Sequence, residues 1–256
     1  MESIDVFEMA YTALGGLGLF FLGLRFLSES LQALAGDFIK KLIAFATSNR
    51  ILAVIVGITV TGIVQSSSIS TVMVVGLVNA GLMNLTQAIG VILGANIGTT
   101  ITGWILVVKV GKYGLLLIGL GILPYLFSKQ EKISATGRVV LALGLIFVGL
   151  EFMSGAFKPL RSSEDFLSFL HIFDTAHIPG LLGCVVIGCI LTFIIQSSSA
   201  MLGITIALAS TGTIDYPTAA ALVLGENIGT TITALLACIG TNTQAIRAAV
   251  SHALFN

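Results

Sequence analysis

This sequence has little charge. Asp, Glu, Lys and Arg make up 9% of its 256 residues, where soluble domains carry about 25%. A soluble body of this size could not cover its surface with so few charges, and 56% of the chain is hydrophobic. That excludes a mostly soluble enzyme. It also excludes a disordered chain, which needs low hydrophobicity and high net charge. Neither sign of charge dominates: 12 basic residues balance 12 acidic ones, so no basic field points to nucleic acid. Cysteine is scarce too. Cys184, Cys189 and Cys238 lie in apolar stretches without CxxC spacing. That pattern argues against a disulfide framework or a zinc site and for buried structural thiols. Residues 1–9 hold Glu2, Asp5 and Glu8 and no basic residue, so the positive start of a cleaved signal peptide is not read there.

What the chain does have is apolar length and glycine. Mean hydropathy is +1.06. Its 29 glycines suit membrane helices that pack closely or unwind. The expected fold class is therefore an all-α polytopic membrane protein. A spanning helix needs about 20 apolar residues. Residues 10–33, 113–127 and 138–157 read as spans, the second of them short. Residues 36–49 read as a short amphipathic helix at the interface, and 158–177 as a polar linker with solvated His171 and His177. Four longer stretches are interrupted by polar motifs. These are 51–82 at Gln65-Ser66-Ser67-Ser68, 85–109 at Asn96–Thr100, 178–213 at Gln196-Ser197-Ser198-Ser199, and 217–240 at Asn227–Thr231. A last helix begins near Ala245.

The four motifs form an internal repeat. The two QSSS segments match each other, and Gly94–Thr102 matches Gly225–Thr233 at the same offset, with no gap between the pairs. Length gives the topology. The arm before the first QSSS, residues 51–64, is roughly 21 Å long as a helix. That is short of a hydrocarbon core about 30 Å thick. The expectation is a re-entrant helical hairpin with QSSS at its tip, followed by a transmembrane helix broken at NIGTT. Three crossings per copy would invert the second copy, an inverted-topology repeat of the kind found in secondary transporters. The division is 1–137 for the first inverted repeat and 138–256 for the second, C-terminally incomplete. Lys and Arg then fall mostly on the side away from the N-terminus. The positive-inside rule makes that side cytoplasmic and the N-terminus extracytoplasmic, with Trp104 and Tyr113 near the outer interface.

Polar backbone at membrane depth is costly unless it lines a cavity or binds something. Each hairpin tip offers helix-end amides and three hydroxyls, and helix N-termini favour anions. Hydroxyl, carboxamide and carbonyl oxygens suit a hard cation such as Na⁺. The expected cation set is Ser67, Ser68, Asn96, Thr99, Thr100, Ser198, Ser199, Glu226, Asn227, Thr230 and Thr231. Anion and cations would meet at the midplane, between the two tips and the two helix breaks. No Lys or Arg lies in any of the four motifs, so the anion would need dipoles and co-bound cations to balance it, which points to symport. Two readings stay open. NIGTT also fits small residues that let helices approach. Glu226, opposite Ala95 in the repeat, fits a cation ligand, a proton site, a gate or a hydrogen-bonded interior carboxylate. Gly94-Ala-Asn-Ile-Gly lacks the Lys-Ser/Thr of a phosphate loop. Ser251-His252 has no GxSxG elbow, so a hydrolase is not supported.

With these motifs in place, the chain resembles the sodium/phosphate cotransporter type II family, in its bacterial branch. The resemblance rests on Gln65–Ser68, Gly94–Thr100, Gln196–Ser199 and Gly225–Thr231 and covers nearly the whole chain. It implies Na⁺-coupled movement of inorganic phosphate across a cell (inner) membrane, with Na⁺ as coupling ion, no other cofactor and no enzyme activity. It further implies that Gln65, Ser66, Ser67, Ser68, Gln196, Ser197, Ser198 and Ser199 contribute to phosphate binding. Similarity to other two-hairpin transporters implies an elevator-like motion. Partners are then phosphate, Na⁺ and the lipid bilayer, with a homodimer as one way to cover an incomplete second half. The chain departs from the family after each QSSS, at Ile69 and Ala200, where Ser or Thr is common. The alternatives are a carrier of another oxyanion, sulfate or a dicarboxylate, and a non-transporting phosphate sensor.

Overall fold

The computed structural model describes residues 6–45, 49–107, 113–163 and 175–256. His171 lies outside them, and His177 is exposed. In chain order the helices are α1 (Val6–Phe45), α2 (Arg50–Val64), α3 (Ser67–Asn79), α4 (Leu85–Val107), α5 (Gly114–Phe127) and α6 (Glu131–Phe157). After a 3-10 turn at Lys158–Ser162 come α7 (Ile178–Ile195), α8 (Ser198–Ser210), α9 (Tyr216–Thr230), α10 (Ile232–Ala237) and α11 (Thr243–Phe255). Among the described residues, five helical stretches are long and apolar enough to cross a membrane. They are Val6–Ala35, Leu85–Val107, Glu131–Leu160, Ile178–Ile195 and Tyr216–Ala237. Large apolar side chains face outward along several helices, among them Leu115, Leu120 and Leu123 of α5 and Leu182, Val186 and Ile190 of α7. Exposed apolar surface on this scale needs a nonaqueous neighbour, and the chain is a multi-pass membrane protein.

The chain forms two compact units, Met1–Leu27 with Leu106–Gly229, and Ser28–Ile105 with Thr230–Asn256. In the first unit α1 runs antiparallel to α6. A Cβ on Gly16 would meet the backbone of Gly149 and Met153, and one on Gly23 that of Ala142 and Ile146. The α5–α6 pair closes in the same way, Gly121 against Leu141 and Gly144 against Ile118. Phe20, fully buried, covers Gly203 of α8. The Arg138 guanidinium lies 4.2 Å from the centre of the Phe26 ring, a cation–π contact that buries its stem. In the second unit, Ala53, Val56, Val60, Val74, Val75, Val78 and Ile92 pack with Ala245, Ala248 and Ala249 of α11. The α11 residues recur at helical spacing, so one narrow alanine face lies against α3. Asn242 fixes the entry to α11: its Oδ1 accepts from Ala245 N at 2.9 Å, and its own N–H donates to Asn79 Oδ1 at 2.9 Å.

The repeat is present in the packing of each unit. In the second unit, a Cβ on Gly57 would collide with the Val91 carbonyl, one on Gly94 with Val54, and one on Gly98 with Ile58 and Thr61. In the first unit, the equivalent glycines are Gly188, Gly225 and Gly229. They meet Leu222, Val185, and Cys189 with Thr192. Each pair is displaced by the same offset as the sequence repeat, so the hairpin's first helix makes the same close crossing twice.

Two expectations need correction. First, α4 is unbroken through Asn96–Thr100. Gly98 serves close approach and keeps helical dihedrals, being absent from the positive-φ residues. The threonines satisfy themselves locally: Thr99 Oγ1 donates to the Ala95 carbonyl at 3.2 Å and Thr100 Oγ1 to that of Ile97 at 2.7 Å. In the second copy, Asn227–Gly229 is also helical, and the interruption comes at Thr231, between α9 and α10. The copies also differ at Thr102 and its counterpart Thr233. Thr233 Oγ1 donates to the Thr230 carbonyl at 2.9 Å, a side-chain bond that competes with the helical ladder. Its counterpart Thr102 donates elsewhere. Second, α1 continues to Phe45, so the backbone of 36–45 prolongs α1 and starts no separate helix. The two helices flanking the first QSSS are both short, as expected. α2 and α3 have 15 and 13 residues, roughly 22 and 20 Å. α7 has 18, because its apolar run starts earlier, with Pro179 in its first turn.

Candidate functional site

Both QSSS segments make the same turn. The glutamine ends one helix in the left-handed region, and the first serine begins the next in extended conformation. Gln65 has φ 57° and ψ 25°, and Gln196 has φ 56° and ψ 28°. Each glutamine N–H donates to a threonine carbonyl one turn back, Thr61 and Thr192, at 2.7 Å. Ser66 Oγ accepts from Ile69 N, and Ser197 Oγ from Ala200 N, both at 3.3 Å. A non-glycine residue at positive φ carries strain of order 1–3 kcal/mol and is held only where its surroundings require it. Here the requirement is a helix end and a new helix start on adjacent residues. The serine caps take the third amide of α3 and of α8. Helix geometry leaves the amides of Ser67 and Ser68, and of Ser198 and Ser199, without intrahelical acceptors. Each tip thus combines orphan N–H groups, the positive helix end and serine hydroxyls, the donor set an oxyanion requires.

The tips differ in closure. Gln65 and Ser67 are buried, and Ser66 and Ser68 half-buried. The Gln65 carboxamide bridges two elements: its Nε2 donates to the Gly62 carbonyl, and its Oε1 accepts from Thr102 Oγ1 of α4 at 3.0 Å. Behind it, Thr61 Oγ1 donates to Ser70 Oγ at 2.9 Å. In the second tip, Gln196 is exposed and Ser197, Ser198 and Ser199 are half-buried. Ser197 Oγ lies 3.4 Å from Ser199 Oγ. Met201 stands where the first copy has Ser70, and the buried Thr192 hydroxyl has no hydrogen-bond partner.

The cation candidates fall on helix surfaces in both units. Asn96 is half-buried, with its Oδ1 3.2 Å from His252 Nε2. Thr99 is half-buried and Thr100 exposed. In the second copy, Asn227 is exposed and Thr230 and Thr231 are buried. Glu226 is 1% exposed, and its Oε1 accepts from Thr205 Oγ1 of α8 at 2.7 Å. Its counterparts Ala95 and Val74 are both buried and apolar, so the carboxylate and its hydroxyl partner arise together in one copy only. Glu226 is thus buried and hydrogen-bonded, which is compatible with each of its expected roles. Among the described residues, no three His, Cys, Asp or Glu side chains cluster as a metal site. The candidate oxygens are hydroxyls, carboxamides and one carboxyl group, a donor set that suits hard cations better than soft transition metals.

Sequence reasoning missed Thr61, Ser70, Thr102, Thr205 and His252. Thr102 lay inside the repeated Gly94–Thr102 segment, and that duplication was the available signal. His252 carried none, because its partner is 156 residues away in sequence.

The Na+/Pi-cotransporter family model matches residues 19–155 and 169–255. Uncharacterized protein YqeW of Bacillus subtilis is 35% identical over 243 residues, 93% of this chain and 76% of that protein. Putative inorganic phosphate export protein YjbB of Escherichia coli is 29% identical over 242 residues, 94% of this chain but 44% of its own length. This chain therefore spans less than half of that relative. Sodium-dependent phosphate transport protein 2A of Rattus norvegicus is 43% identical over 96 residues, 36% of this chain and 15% of that one. No solved structure matches. The family is one of transporters and not of enzymes, and the match runs through both hairpins and both NIGTT helices: the chain belongs to the Na+/Pi-cotransporter family.

Proposed function

We propose that this chain is a Na⁺-coupled phosphate symporter of the cell membrane, with its N-terminus outside. It is built on two inverted repeats, 1–137 and 138–256, whose QSSS turns lie on re-entrant hairpins. The observation that carries the reading is the duplicated turn. Two serine-capped helix starts with near-identical dihedrals each present orphan amides and hydroxyls at a strained glutamine. Phosphate is held by Gln65–Ser68 and Gln196–Ser199. Na⁺ is held by oxygens from Ser67, Ser68, Asn96, Thr99, Thr100, Ser198, Ser199, Glu226, Asn227, Thr230 and Thr231. No arginine or lysine in these motifs balances the anion. The cation must therefore supply the charge, and binding of the two ions is coupled by electrostatics. Relatives named as sodium-dependent phosphate transport proteins support this coupling.

A second reading keeps the machinery and reverses the direction. Relatives named as putative inorganic phosphate export proteins favour net export, and a symporter follows whichever gradient is larger. Calorimetric titration of phosphate into the purified protein tests the site itself. The expected result is binding in Na⁺ buffer, none in choline buffer, and loss in Ser66→Ala with Ser197→Ala. Equal binding with and without Na⁺ would sink the coupling. Equal competition by sulfate would move the assignment to oxyanions in general. Binding without uptake would make the protein a sensor.

A further inference from the structure

His252 belongs to no motif and is fully buried, on the alanine face of α11. Ala245, Ala248 and Ala249 on that face meet α3 with methyl groups, and His252 is its one ionisable member. Its Nε2 lies 3.2 Å from the side-chain oxygen of Asn96, the first residue of the first NIGTT segment. The His252 Nδ1 and the Asn96 Nδ2 are both buried without a hydrogen-bond partner. Native proteins seldom leave such groups unsatisfied, because each costs about 1–3 kcal/mol. A phenylalanine or leucine would fill the space without that cost. The contact with Asn96 is what a histidine adds.

We propose that His252 is a positioning residue for the coupling-cation site, acting through Asn96. This rests on the function proposed above. With Nε2–H as donor, the ring occupies one of the two lone pairs of Asn96 Oδ1 and leaves the other for a cation. A carboxamide on a helix otherwise rotates among several orientations. Asn96 has no other hydrogen bond through its side chain to hold it, since its Nδ2 is unpartnered. His252 therefore fixes the rotamer and the plane of the amide, and with them the direction of its oxygen. Preorganising a ligand oxygen in this way lowers the ordering cost of ion binding. The expected signature is specific: weaker Na⁺ activation, with phosphate recognition at saturating Na⁺ unchanged.

The test is Na⁺ activation of phosphate uptake by the full chain in proteoliposomes, read as half-saturating Na⁺ and, separately, as phosphate KM at saturating Na⁺. His252→Phe and Asn96→Ala are each expected to raise half-saturating Na⁺ roughly tenfold, the effect of orphaning one buried hydrogen-bonding group. The double variant is expected to stay near tenfold, because one interaction has been removed twice. His252→Gln, which can return an N–H donor to Asn96, is expected to recover most of the loss. Leu254→Ala, exposed on the same helix, is the control and should match wild type. If His252→Phe fails to fold, as judged by thermal unfolding in detergent, His252→Gln and its double variant with Asn96→Ala still decide the case. A multiplicative, roughly hundredfold loss in the His252→Phe double variant would overturn the proposal, as would a folded His252→Gln variant with a tenfold loss of its own. So would equal shifts in Na⁺ and phosphate constants, or a His252→Phe variant with wild-type Na⁺ activation. Wild-type uptake that ignores Na⁺ would instead overturn the proposed function, and this inference with it.

Discussion

Glu226 occupies the position of Ala95 in the first copy, and its partner Thr205 that of Val74. A buried carboxyl group hydrogen-bonded to a hydroxyl is costly to strip of that partner and cheap to replace together with it. Thr205→Val alone should lower stability by about 1–3 kcal/mol, since it strips a bond from a buried carboxyl group. Thr205→Val with Glu226→Ala recreates the first copy's apolar pair and should unfold closer to wild type. It should also lose part of the Na⁺ dependence of phosphate binding. Thermal unfolding in detergent and calorimetry read the two effects separately. A double variant less stable than the single would contradict the pairing, and unchanged Na⁺ dependence would remove Glu226 from the cation set. The sequence made Glu226 visible through its departure from the repeat. It did not show Thr205, because threonine is unremarkable on an apolar helix and the contact joins residues 21 apart.

Among the elements, the two hairpin turns were the most legible. A polar QSSS between two apolar runs, found twice, marks a helix break, and each one ends a helix at its glutamine and starts the next from its first serine. The NIGTT segments read less well. Their polar character suggested broken helices, but threonine hydroxyls bond back to their own helix, and Gly98 is used for contact with α2. That use is testable. Gly94→Ala would drive a methyl group into the Val54 carbonyl of α2. It should destabilise the protein by about 1–3 kcal/mol, the usual cost of overpacking. Gly76→Ala, in α3 with nothing within 4 Å of the added carbon, should be neutral or stabilising by up to about 1 kcal/mol. Equal effects of the two in thermal unfolding would mean that the α2–α4 crossing is looser than described. The same comparison at Gly225, against Val185 of α7, checks that the second copy packs by the same rule.

For the whole molecule, composition alone placed the chain in a membrane, and the offset between motifs revealed the repeat. The grouping into units was not legible. Each unit draws helices from both halves of the sequence, since Thr230–Asn256 groups with Ser28–Ile105, and α8 packs on α6. Such exchange depends on contacts between residues far apart in sequence, which periodicity cannot report. The family match and the duplicated tips converge on one activity, and a reconstituted system tests it most directly. Purified protein in liposomes would be given radiolabelled phosphate outside, with either an inward Na⁺ gradient or an equal K⁺ gradient. Phosphate should accumulate above its outside concentration only with Na⁺, collapse when an ionophore dissipates the gradient, and vanish in Ser66→Ala with Ser197→Ala. Accumulation driven equally by K⁺, or untouched by the double substitution in a folded protein, would contradict Na⁺-coupled phosphate transport through these two turns.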